Sequence, residues 1–191
     1  MKTTGDRRKL AVLTFDDGYA DNYEVAFPVM KEYRCKGAIY LVSKSVGTID
    51  VFWWDQPMVD SGKPGSGYEV LNWDQVGEMQ DNGIEFGSHT LIRRLLPQLS
   101  VSDRKDEIQE SRKELEAFLG REVSSFCCPE GRIDEQTVRD AGYSHRVVTD
   151  LAEAEPYGPL ALRRVGVYYH VDITIALESK CKDLHDDFVN R

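Results

Sequence analysis

Apolar runs of strand length alternate along this chain with stretches of helical periodicity, and that alternation constrains its fold more than any other feature. Lys9-Leu10-Ala11-Val12-Leu13-Thr14-Phe15 is nearly continuous in apolar character, the pattern of a strand buried on both faces. A polar loop leads to Tyr23, Val25, Ala26, Val29 and Met30 at helical spacing, and residues 37–42 resume a strand pattern. Asn72 is suited to cap a helix with Gln75 at its N3 position, Val76 and Met79 on the buried side and Gly83 as its stop; a strand over 84–88 follows. Ser100-Val101-Ser102-Asp103 resembles a capping box, opening a helix whose apolar stripe is Ile108, Leu115, Phe118 and Leu119 and whose end is Gly120. A strand over 123–128, a helix over 134–141 closed by Gly142 and a strand over 143–149 continue the series.

Alternation of this kind predicts an α/β fold, a mostly parallel sheet with its helices outside. No internal repeat or linker divides the 191 residues, so residues 1–191 read as a single domain. Polar residues suited to chemistry stand just after several different strands, which favours a distorted, incomplete (β/α) barrel of about seven parallel strands over an open doubly wound sheet. Residues 43–71, rich in Gly, Pro, Ser and Asp, read as a long loop carrying Phe52-Trp53-Trp54. Those aromatics either bind something or cover an open end of the core.

Charge narrows the partners. A net charge of −9, with no basic stripe interleaved with aromatics, argues against nucleic acid. A hydrophobic fraction of 41% and a charged fraction of 30% suit a soluble globular chain, and no apolar run reaches membrane-spanning length. Met1 to Lys9 lead straight into a strand pattern without a signal-like apolar region, so the chain as given reads as cytoplasmic, or as extracytoplasmic if a leader has been removed. Cys35, Cys127, Cys128 and Cys181 lack zinc spacing and read as reduced structural thiols.

Two adjacent carboxylates follow the first strand, in Thr14-Phe15-Asp16-Asp17-Gly18-Tyr19. Neighbouring side chains of an extended segment point in different directions, so one can bind a cation while the other acts as a general base, Gly18 permitting the turn. Asp-Asp-Gly alone is more often an ordinary turn. Gly87-Ser88-His89-Thr90, also directly after a strand, places an imidazole at the same end of the sheet, and the coincidence brings a metal site into view.

Taken together, these segments resemble the motifs of the polysaccharide deacetylases, the NodB-homology family. Thr14 to Tyr19 is similar to the first motif. Ser88-His89-Thr90-Leu91-Ile92-Arg93, followed by the Leu-Leu-Pro-x-Leu-Ser stretch from Leu95 to Ser100, is similar to the second, and Phe126-Cys127-Cys128-Pro129-Glu130-Gly131 keeps the Pro-x-Gly core of the third. The resemblance runs from about Lys9 to Arg164. It implies a divalent metal, zinc or else cobalt or nickel, held by Asp17 and His89, with Asp16 as the catalytic base and a backbone N–H near Glu130 holding the oxyanion.

A carbohydrate bearing N-acetyl groups is the implied substrate, met by Tyr19, Arg93, Pro129, Glu130, Arg163 and Arg164. The family's second metal histidine falls on Arg93, whose guanidinium has no lone pair to donate. Cys127 and Cys128 occupy the region of an arginine that often precedes the Pro-x-Gly core, and Arg163 and Arg164 sit where some members have an arginine that orients the base. No late Leu-x-x-His motif is present; His170, or His145, is the candidate general acid. The implied activity is metal-dependent deacetylation, possible in impaired form. The alternatives are a carbohydrate-binding or regulatory member of the same fold, and a hydrolase of a non-sugar amide.

Overall fold

The structure, a computed structural model, describes residues 12–61, 67–131, 133–148 and 158–167. Six strands form one sheet: β1 (Leu13–Phe15), β2 (Gly37–Leu41), β3 (Glu85–Ser88), β4 (Ser125–Cys127), β5 (His145–Val148) and β6 (Leu162–Arg163). Every neighbouring pair is parallel, and the spatial order is the chain order, β1-β2-β3-β4-β5-β6. Parallel crossovers share one hand, so a sheet that never reverses its order carries its helices on one side and curls. The result is a half-barrel, the distorted and incomplete (β/α) barrel expected, with six strands among the described residues against the seven anticipated.

Ile39, Leu41, Phe86 and Phe126 from the sheet meet Val76 and Met79 of α3 (Trp73–Asp81), Ile108 and Leu115 of α4 (Val101–Leu119) and Val138 of α5 (Glu135–Asp140) in one buried cluster. Both long helices begin where the sequence places their caps. Asn72 and Gln75 form a complete capping box at α3. At α4, Ser100 Oγ accepts from the Asp103 N–H and donates to Asp103 Oδ2, a cap closed within the side chains, and Gly120 ends the helix at φ 65°.

Some expectations need correction. β1 is not buried on both faces: Val12 and Leu13 are exposed, because no described strand pairs with its outer edge. The helix after it opens as a π-helical turn, Asn22–Ala26, running into α1 (Phe27–Glu32); this leaves Val25 and Val29 outside and turns Asn22, Phe27 and Met30 inward. Phe118 lies outside the core and stacks on Trp73, with centroids 4.0 Å apart. The 43–71 segment is not all loop, for it holds a 3₁₀ turn at Ser43–Ser45 and α2 (Gln56–Asp60), and its Val70 bridges Tyr19. Among the described residues no helix is long and apolar enough to cross a membrane.

Candidate active site

Asp16 and Asp17 leave the end of β1 in a turn closed by the Gly18 N–H on the Asp16 carbonyl at 2.9 Å. Gly18 has φ +85°, and a Cβ there would stand 2.6 Å from Leu41 Cδ2, so the position needs glycine both for its conformation and for its space. Asp17 itself is left-handed at φ 70°, and its carboxylate meets His89 and Arg93 where that of Asp16 meets Arg164.

Asp16 is gripped by Arg164, immediately beyond β6: Nη1 donates to Oδ1 at 2.6 Å and Nη2 to Oδ2 at 2.8 Å. The Cys127 thiol, ending β4, donates to Asp16 Oδ2 at 3.7 Å and accepts from Arg164 Nη2 at 3.1 Å. Burial works to raise the Asp16 pKa, but the hydrogen bonds and charge of Arg164, with the bond from the Cys127 thiol, outweigh it and hold the carboxyl below its ordinary value. Burial would likewise lower the pKa of Arg164, and the bond to Asp16 more than offsets that effect. The Cys127 thiol is pushed well up, first by burial and then by the Asp16 charge, so it stays protonated.

His89, the first residue after β3, is buried, its N–H donating to the Leu41 carbonyl at 2.8 Å. Its Nδ1 lies 2.8 Å from the carbonyl oxygen of Cys127. A carbonyl only accepts, so Nδ1 carries the proton and Nε2 presents its lone pair. That lone pair faces Asp17 Oδ1 at 3.5 Å. Burial is also the main cause that lowers the His89 pKa, which keeps the ring neutral.

Arg93 approaches the same oxygen. Its Nε is 2.6 Å from Asp17 Oδ1, without the alignment of a hydrogen bond. The loop that carries it is fixed from α4: buried Glu107 Oε2 accepts from the Leu91 and Ile92 N–H groups at 3.1 Å each, and Thr90 Oγ1 accepts from the Arg93 N–H at 3.0 Å. The guanidinium lies over the Trp54 ring, 4.0 Å from its centroid. Trp54 Nε1 donates to Tyr19 Oη at 2.8 Å, and Tyr19 in turn donates to Asp55 Oδ2 at 2.5 Å.

Asp16, Asp17, His89, Arg93 and Arg164 therefore meet at the C-terminal ends of their strands, and Tyr19 joins them through Trp54. Arg164, not Arg163, reaches Asp16. Pro129 is buried and Glu130 exposed at φ 57°, at the end of β4; neither hydrogen-bonds Asp16, Asp17 or His89 among the described residues. His145 opens β5 at the opposite end of its strand from these groups, and its ring contacts Ser144. His170 lies outside the described residues. Sequence reasoning missed Glu107, although residues 107, 111 and 115 follow helical spacing along the buried face of α4. It also missed the contact of Cys127 with Asp16.

Two lone pairs facing one another at 3.5 Å repel unless a cation stands between them. Two ligands of one tetrahedral zinc stand about 3.4 Å apart at ordinary bond lengths. Asp17 Oδ1 and His89 Nε2 thus fit a divalent ion as a pair of donors. Arg93, in place of a third, offers none. Asp16, His89 and Cys127 also bring ligand atoms within 4.8 Å of one another.

A parallel half-barrel with this acid pair and histidine at its strand ends defines a class, and the family model of polysaccharide deacetylase matches residues 3–145. The chain belongs to that family. It is similar to YxkH of Bacillus subtilis (strain 168), whose name places it in the same family, at 31% identity over 163 residues, covering 83% of this chain and 52% of YxkH. The chain therefore spans about half the length of that curated relative. Among solved structures it is similar to Streptococcus pyogenes deacetylase PplD in complex with acetate, with a TM-score of 0.70 and 24% identity over 91% of this chain and 71% of that one. It is also similar to BC0361, a polysaccharide deacetylase from Bacillus cereus, with a TM-score of 0.68 and 21% identity over 88% of this chain and 50% of the other. At these identities the structures speak for the fold.

Proposed function

We propose that this chain removes N-acetyl groups from the amino sugars of a polysaccharide by hydrolysis, assisted by a divalent ion, zinc for preference, held by Asp17 and His89. The observation that carries this reading is the oriented Nε2 lone pair of His89 facing Asp17 Oδ1 at 3.5 Å. Such an ion, when bound, would polarise the acetamide carbonyl and acidify a water.

The protein's own groups supply the rest. Asp16, ionised at neutral pH, accepts the proton of the attacking water, and Arg164 keeps its two oxygens oriented while leaving lone pairs free. A backbone N–H near Glu130 is the proposed donor to the oxyanion, and His170 the proposed source of the proton for the leaving amine. Acetate and a free amine are the products. The contact of Arg93 with Asp17 favours a second reading, a member that binds the sugar and has lost turnover.

Acetate release from chitin oligomers, measured with and without added zinc, tests the proposal. Wild type should release acetate only with the ion, and Asp16→Asn should slow release by roughly 10²- to 10⁴-fold. No release from wild type under any metal, together with retained sugar binding, would establish the second reading instead.

A further inference from the structure

Beyond the reacting centre, the segment after β2 builds an aromatic wall. Phe52 is 7% exposed and anchors it, packed with Val42 and Val70 and edge-on to Tyr19 at 5.3 Å. Trp54 stacks on Phe52 at 4.3 Å and an interplanar angle of 12° and lies under the Arg93 guanidinium at 4.0 Å. Trp53 meets Trp54 by edge at 5.6 Å and 86°. That contact leaves most of the ring open, for Trp53 is 71% exposed.

We propose that Trp53 is a sugar-binding subsite, on which a pyranose ring of the polymer stacks while a neighbouring ring occupies the Asp16–Asp17–His89 centre. This rests on the proposed action on an N-acetylated polysaccharide, and it adds where the rest of the chain of sugars lies. A lone exposed aromatic is ordinary on protein surfaces, so the argument stands on its setting.

The wall is continuous with the centre, because Arg93 touches both Asp17 and Trp54. Trp53 is held by a neighbour whose own position is fixed by stacking and by the Trp54–Tyr19–Asp55 hydrogen bonds, so stacking on it orders little that is not ordered already. The ring matches one face of a pyranose, whose C–H groups are apolar while its hydroxyls point outward. Trp53 Nε1 makes no hydrogen bond among the described residues and is available to a sugar hydroxyl.

Calorimetric binding of N-acetylglucosamine and of its β-1,4 tetramer to the full chain, in the presence of a chelator so that nothing is hydrolysed, tests the subsite. Wild type should bind the tetramer at least about tenfold more tightly than the monomer. Trp53→Ala should remove that gain and leave the monomer affinity unchanged, while Trp53→Phe keeps most of it. Equal affinity of wild type for monomer and tetramer overturns the subsite and leaves the proposed function standing. So does a gain that survives Trp53→Ala, and a lower melting temperature of that variant would then mark Trp53 as a packing residue. Failure of wild type to bind either sugar overturns the subsite, while acetate release with added zinc decides the function separately.

Discussion

At Asp17 Oδ1 a nitrogen with a lone pair and a nitrogen with a fixed charge converge from one loop, and the two cannot serve one ion together. Replacing Arg93 by His adds a neutral donor and removes a repelling charge. The backbone should accept the change, since Arg93 sits at φ 62°, where histidine is among the better tolerated non-glycine residues. Arg93→His should bind zinc about tenfold or more tightly than wild type in a calorimetric titration, on the order of 1.4 kcal/mol. Equal affinities would mean that position 93 does not govern the metal. Asp16, Asp17 and His89 were legible in the sequence because each follows a recognisable strand at once. The choice of Arg164 over Arg163 was not, because adjacent residues of a strand face opposite ways and only the register of β6 on β5 decides which faces inward.

Among the elements, α3 shows how far local sequence can be trusted. Asn72 accepts from the Gln75 N–H and Gln75 Oε1 from the Asn72 N–H, both at 2.9 Å, a pair of bonds that needs only residues three apart in sequence. Asn72→Ala should cost about 1 kcal/mol, which lowers the melting temperature by about 2–4 °C for a domain of this size. An unchanged melting curve would show that tertiary packing alone fixes the start of α3.

The turn before α1 resisted the same reasoning. Apolar spacing from Tyr23 to Met30 suits an α-helix, yet the π-helical turn rotates Val25 and Val29 outward. Nothing in the composition of that stretch signals the extra residue. Glu107 was hidden for the opposite reason: a carboxylate on a buried helix face reads as an error until the N–H groups of Leu91 and Ile92 account for it.

For the whole molecule, pH couples the centre to stability. Burial depresses the folded-state pKa of His89 below its ordinary 6.5, so between the folded value and 6.5 the unfolded chain binds the extra proton and stability rises with pH. That contribution is complete above about 6.5 and is lost as pH falls below it. The depressed carboxyl of Asp16 acts the same way further down: its contribution is present above 3.8 and lost as pH falls through the folded value. The urea midpoint of the metal-free protein should therefore drop between pH 7.5 and pH 5, and His89→Gln should flatten most of the drop. A midpoint insensitive to pH in wild type would show that His89 is as easily protonated folded as unfolded.

No backbone ladder joins β6 to β1 among the described residues, and the guanidinium that reaches across that opening, from Arg164 to Asp16, also touches Thr14 Oγ1 at 3.4 Å. The rim of the open wall is laced at one knot, and the knot is tied on the carboxylate assigned to the chemistry. A relative of this chain without any hydrolytic activity would still have a use for that aspartate in holding its two margins together. The persistence of Asp16 in such a protein would then testify to its masonry and not to its trade.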